Sequence, residues 1–160
     1  MKNTILFLLS FFFSKMVFSQ DFASWNYQSQ CVDVSMQKAT KIKVTNFDKK
    51  SKTDIDLEKK LGIHAVLIKG VSGGKDCVSQ PPLISKDEYE SNKKYFKNLF
   101  GKKAFYNKYI VAIEEVEIND LDKKKFKQTE EHSAIITIDK DLLRKDLIND
   151  KIIKSLTNGF

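Results

Sequence analysis

Arginine is almost missing from this chain: Arg144 is the single arginine among 28 basic residues. Its planar fork is the usual reader of phosphates and base edges, so its scarcity argues against specific nucleic-acid recognition. Histidine is confined to His64 and His132, and neither has a Cys, Asp or Glu at ligand spacing on a shared helix face. That leaves no zinc set and no assembled histidine-based catalytic group, and no cofactor is expected. Cysteine is confined to Cys31 and Cys77, and proline to the pair Pro81-Pro82. There is no internal repeat, no low-complexity linker and no G-x-S-x-G motif. The formal charge of +7 is carried almost wholly by lysine. Together with abundant Asn and Ile, this is a composition that AT-rich genomes produce without any binding role.

What the chain does have begins at its front. Lys2 supplies a positive start, residues 5–13 (I-L-F-L-L-S-F-F-F) form a short apolar core, and Val17-Phe18-Ser19 precedes Gln20. This is the layout of a cleavable signal peptide, with cleavage expected between Ser19 and Gln20. A spanning helix needs roughly 20 apolar residues, and this stretch is shorter and broken by Ser14 and Lys15. No cysteine follows it directly, so a lipoprotein signal is excluded, and no later segment is apolar enough to cross a membrane. The mature protein is therefore expected in the periplasm or outside the cell. Losing Lys2 and Lys15 with the leader lowers the formal charge of +7 by two.

The organising stretch is residues 55–83. It opens as a helix with a small or apolar face (Ile55, Gly62, Ile63, Val66), started by Ser51 or Thr53 with Asp54 or Asp56 three positions on. Gly62 costs about 1 kcal/mol in a helix, so it marks a place where another backbone comes close. The unbroken run Ala65-Val66-Leu67-Ile68 reads as a strand covered on both faces, and Gly70 opens a long loop through Pro81-Pro82.

Around it, residues 21–30 read as a polar N-terminal arm. Residues 31–48 read as a long strand or hairpin, with Val32 and Val34 on one face and Ile42 and Val44 in the second segment. Residues 85–101 read as the cleanest helix: Ser85 and Glu88 make a capping box, Tyr89, Phe96, Leu99 and Phe100 a buried stripe, and Gly101 the stop. Residues 105–118 read as a strand and 119–131 as a charged connection. Residues 133–138 are then the hairpin partner, followed by a helix capped by Asp139 that buries Leu142, Leu143 and Leu147. The order β-α-β-α-β-β-α predicts one α+β domain over 31–160, a two-layer sandwich of a mostly antiparallel sheet with helices on one face. Its first β-α-β unit is expected to cross over right-handedly.

The candidate surface loop holds Gly70, Gly73, Gly74 and Lys75. Its spacing fits neither a P-loop nor a dinucleotide fingerprint, and no helix starts at once after it, so a flexible turn is the plainer reading. The lysine cluster at 123–127 can meet a polyanion, or be a solvated tip. In an oxidising compartment, the two cysteines are expected to form one bridge, Cys31–Cys77. The alternative is a pair of buried free thiols.

Several segments taken together resemble a known family. They are Gly62-Ile63-His64-Ala65-Val66-Leu67-Ile68-Lys69-Gly70-Val71, the loop Cys77…Gln80-Pro81-Pro82-Leu83, Tyr95-Phe96…Leu99-Phe100, and the tail Ile152-Ile153…Gly159-Phe160. With the leader ending Phe18-Ser19-Gln20, they resemble a family of small exported proteins of unknown function from Bacteroidota. Charged Asp54 and Glu58 stand where such helices tend to carry alanine.

The resemblance implies a fold and a destination but no activity. The expectation is an exported, non-enzymatic domain that binds a protein or an envelope component. One alternative is a small hydrolase-like enzyme using His64 or the 70–83 loop. Another is lysine-driven binding of a polyanion. Nothing in the sequence signals an oligomeric state.

Overall fold

The structure is a computed structural model that describes residues 25–33, 39–47, 54–75, 77–116 and 132–154. The leader with its Ser19/Gln20 junction, Val34, the 119–131 connection with its lysine cluster, and the C-terminal tail from 155 lie outside the described residues.

Four strands, β1 (Tyr27–Asp33), β2 (Ala39–Asn46), β3 (Ile110–Val116) and β4 (His132–Asp139), form one sheet in the order β1-β2-β4-β3. Every pairing between them is antiparallel. Helices cover one face: α1 (Ile55–His64), α2 (Lys86–Ser91), α3 (Lys93–Leu99) and α4 (Lys140–Asn149), with a 3₁₀ turn at Phe105–Tyr109. The architecture is the expected α+β two-layer sandwich. Its core follows from the register, which sets Ile42 opposite Ile136, Val44 opposite Ala134 and Ile113 opposite Ile136. Ile42, Val44, Ala134, Ile136 and Ile138 are all fully buried. Each large side chain hidden in this way contributes about 1.5–3 kcal/mol.

Helix ends are set by local chemistry. Asp54, rather than Ser51 or Thr53, caps α1 by accepting from the amides of Asp56 and Leu57 at 3.0 and 3.1 Å. Ile55 is exposed, so the buried face starts later than expected, with Glu58 and then Leu61, Gly62 and Ile63. Gly62 meets a side chain rather than a backbone: a Cβ there would come within 2.9 Å of Ile136 Cδ1. The Ser85–Glu88 capping box at α2 is present, with both reciprocal bonds formed. Asp139 caps α4 through the Leu142 amide at 2.8 Å.

Four sequence expectations are corrected. The strand expected at 65–68 is a π-helical continuation of α1 over Ala65–Lys69, closed by Gly70 N–H donating to the Ala65 carbonyl at 2.8 Å. Its apolar run is unbroken because Ala65, Val66 and Leu67 are enclosed on all sides. A short run of this kind does not distinguish a strand from a buried helical turn. The expected right-handed β-α-β crossover therefore has no second strand, and the parallel contact is reduced to one isolated bridge, Gln30 to Ser72.

β1 begins at Tyr27, inside the stretch expected as a loose arm, and buries Tyr27, Ser29 and Cys31 rather than the Val32 face. The 85–101 helix breaks at Asn92, whose side-chain amide donates to the Glu88 carbonyl at 2.8 Å. Phe100 is its final C-cap, which leaves Gly101 at the C′ position expected of it. In the strand expected at 105–118, the first residues form the 3₁₀ turn that buries Tyr106 and Tyr109. A bulge between Ile110 and Ala112 then turns Val111 outward, to 59% exposure.

Candidate functional site

The two sheet edges are β1 and β3, and they are finished differently. On β1, the Cys31 amide donates to the Ser72 carbonyl at 2.8 Å, and the Ser72 amide donates to Ser29 at 3.1 Å. The Tyr27 carbonyl accepts from the Lys69 ammonium, which also sits 4.0 Å above the Tyr27 ring. The π turn ends in a conformation that delivers this segment to the edge. Gly70 has φ 84° and ψ 167°, a region that is essentially glycine's alone.

The disulfide locks the same place. Cys31 on β1 and Cys77 in the loop lie 2.03 Å apart at sulfur and 6.0 Å at Cα, as expected from the sequence. Gly74 packs so tightly over this bridge that a Cβ would fall 1.9 Å from the Cys31 carbonyl oxygen. Gln80 ties the far end: its carbonyl accepts from Lys140 at 2.9 Å, and its amide lies 3.6 Å from the Cys31 sulfur.

Between β1 and this pinned loop lies an open cleft of about 760 Å³. β1 contributes Gln28, Ser29 and Gln30; the end of the π turn contributes Lys69 and Gly70; Ser72, Ser79, Gln80 and the two prolines complete the wall. Gln28 and Gln30 also form one side of a second hollow of about 370 Å³ on the open face of the sheet, with Lys43, Thr45 and Phe47 opposite. The two hollows share the glutamine ridge. Among the described residues, none that lines them is acidic.

Of the candidate loop residues, Gly70 lines the cleft, while Gly73 supplies the carbonyl that accepts from the Gln30 amide at 3.3 Å. Gly74 is the packing point over the disulfide, and Lys75 is exposed beyond it.

His64 stands behind this site, not in it. It is buried among Trp25, Tyr27 and Phe100, with ring centroids 5.2, 5.7 and 6.4 Å away. Its Nδ1 lies 2.6 Å from the Tyr27 hydroxyl. Burial, reinforced by the nearby Lys69 charge, pushes its pKa down to about 4, and burial pushes the Tyr27 hydroxyl up. Both groups are then neutral at neutral pH, and the imidazole tautomer decides which of them donates. The contact is a buried neutral hydrogen bond, with a hydroxyl where a catalytic base would have an orienting carboxylate.

His132 opens β4 opposite Asn46. Burial raises the pKa of the nearby Glu58 carboxyl, and His132 partly offsets that effect. The other perturbed groups are also structural. Tyr106 donates to Asp56, which pairs with Lys60 at 2.7 Å. Tyr109 donates to Asp146 at 3.0 Å, and Lys108 pairs with the same carboxylate at 2.6 Å.

Among the described residues, no three His, Cys, Asp or Glu side chains gather to hold a metal ion, and no helix is long and apolar enough to cross a membrane. The residues that sequence reasoning missed are Gln28, Gln30, Lys43, Phe47 and Ser79. Their one signal was the polar alternation Gln28-Ser29-Gln30, which strand geometry converts into a shared ridge. Comparison with protein-family models, with curated proteins and with solved structures returns no match.

Proposed function

We propose that this chain is an exported, non-enzymatic domain that binds an envelope component through the cleft along β1. The carrying observation is a large hollow of mixed polar and apolar lining on a rigid edge, walled by amides, hydroxyls, lysine, Val71 and two prolines, with no acidic lining residue among the described residues. Its walls are held by a disulfide, two backbone hydrogen bonds and the Lys140–Gln80 contact, so it is preorganised, as a binding site needs to be. The most displaced histidine is sequestered behind it, which favours binding over acid–base chemistry. The leader-like front and the resemblance to small exported Bacteroidota proteins support the same destination.

The test is co-sedimentation of the purified protein with isolated envelope fragments. Wild type is expected in the pellet, and Gln28→Ala/Gln30→Ala in the supernatant with an unchanged circular dichroism spectrum. Equal pelleting of both proteins would place the binding surface elsewhere, and no pelleting of either would remove the envelope reading.

A further inference from the structure

We infer that the ligand of the β1 cleft is an anionic polysaccharide, an inference that rests on the binding reading above and narrows it to a chemical class. The first argument is what the edge cannot accept. An extended peptide recognised by strand addition needs free outward backbone groups. On β1 the carbonyls of Tyr27 and Ser29 and the amide of Cys31 are already taken by Lys69 and Ser72, and Gly74 packs against the Cys31 carbonyl. Recognition is thus left to side chains.

Those side chains suit sugar hydroxyls. A primary amide offers two donors and an acceptor, and a hydroxyl offers both roles, so each matches a ligand group that also donates and accepts. Gln28 stands opposite Thr45 and Gln30 opposite Lys43, making two polar rungs on the open face. Rungs two residues apart lie about 6.8 Å apart along a strand. The shared glutamine ridge joins the hollows of about 760 and 370 Å³ into one extended path, suited to a polymer rather than a monomer. Half-buried Phe47 and exposed Pro81 and Pro82 supply flat apolar surfaces for sugar ring faces.

Charge then selects the sign. Lys43 borders one hollow and Lys69 the other, and among the described residues no carboxylate lines either. Lysine is a compact point charge without the fork that reads carboxylate or phosphate bidentately, so these lysines select for negative charge rather than for one anionic group.

The experiment measures affinity of the purified protein for three probes: polygalacturonate, the neutral polymer dextran, and polyglutamate, which carries the same charged group on a peptide backbone. Polygalacturonate is expected to bind, more weakly as salt rises, and the other two to bind at least about tenfold less tightly. Gln28→Ala/Lys43→Gln is expected to weaken polygalacturonate binding by about tenfold, from lost charge-assisted contacts. Lys102→Gln/Lys103→Gln, two exposed lysines outside the cleft, is expected to leave it unchanged. Gln30→Ala gives an independent reading of the ridge.

Equal binding of polyglutamate, or equal losses in the cleft and control variants, would reduce the effect to diffuse charge and overturn the inference. If polygalacturonate does not bind while envelope sedimentation remains sensitive to Gln28→Ala/Gln30→Ala, the ligand class falls and the cleft stands. If neither probe nor envelope responds to the ridge variants, both fall.

Discussion

Removing the Cys31–Cys77 bridge tests the reasoning about this edge most directly. The two cysteines are 46 residues apart. In the chain-entropy account, closing a loop of that length removes about 13.5 cal/mol/K from the unfolded ensemble, or about 4 kcal/mol at 25 °C. Both ends are also held by backbone hydrogen bonds: the Cys31 amide donates to the Ser72 carbonyl, and the Cys77 carbonyl accepts from the Gly74 amide. For a domain of this size, 1 kcal/mol moves the melting temperature by about 3–5 °C, so the double variant Cys31→Ala/Cys77→Ala should melt about 12–20 °C lower.

Alanine at the fully packed position 31 also vacates the space of a sulfur. Reduction and alkylation of the wild type therefore provides a second route with a different side-chain error. The assay is thermal and urea unfolding followed by circular dichroism, oxidised against reduced. The urea slope should rise without the bridge, because the unlinked unfolded chain exposes more surface. Intact mass of unreduced protein should lie about 2 Da below the dithiol form, with no alkylation. A melting shift under about 4 °C by both routes would mean that the bridge constrains little, and the entropy argument would be wrong.

Three further predictions concern the frame around the site. Ser85→Ala removes a complete capping box and should cost about 1 kcal/mol; melts that match wild type within error would refute it. Phe96→Ala empties a fully buried position packed against Tyr89 and Tyr95, and should cost about 3–5 kcal/mol in urea unfolding; a near-neutral result would mean the core closes over the gap. His64 should make stability fall with acid. The folded pKa is about 4 against an ordinary 6.5, so below about pH 6.5 the unfolded chain binds a proton that the folded one refuses. Full stability above about pH 6.5 should decline towards pH 4 by up to about 3 kcal/mol. Urea melts of wild type and His64→Gln across that range isolate this part of the slope, and parallel curves would sink the assignment.

The parts of this fold that sequence made visible share one physical property: a periodic signal with its own punctuation. β4 and α4 are the clearest case. Alternating isoleucines meet a partner of equal length, and Asp139 stands where a helix needs an oxygen at its first turn. The bridge was legible because two cysteines in a chain expected to be exported have few other uses.

The misreadings occur where enclosure erased periodicity or where a single residue redirected the chain. Ala65 to Leu67 are apolar on every side because everything around them is protein, so the sequence carries no alternation to separate a strand from a π turn. The break at Asn92 and the bulge beyond Ile110 each turn on one local hydrogen bond or one extra residue, which no window of hydrophobicity registers.

The site was least legible of all, and the reason lies in how it is built. An open strand edge invites aggregation, and this protein blunts its β1 edge with a lysine, a short bridging segment and a disulfide. Those same devices pin the loop to the strand and set the side chains of both around one cleft. The lining residues come from β1, β2, the end of the π turn and the approach to Pro81, up to 54 positions apart between Gln28 and Pro82. No motif joins them in the chain. The folded edge does, and a substitution that loosens it, at Gly74 or at either cysteine, should therefore weaken binding and stability together.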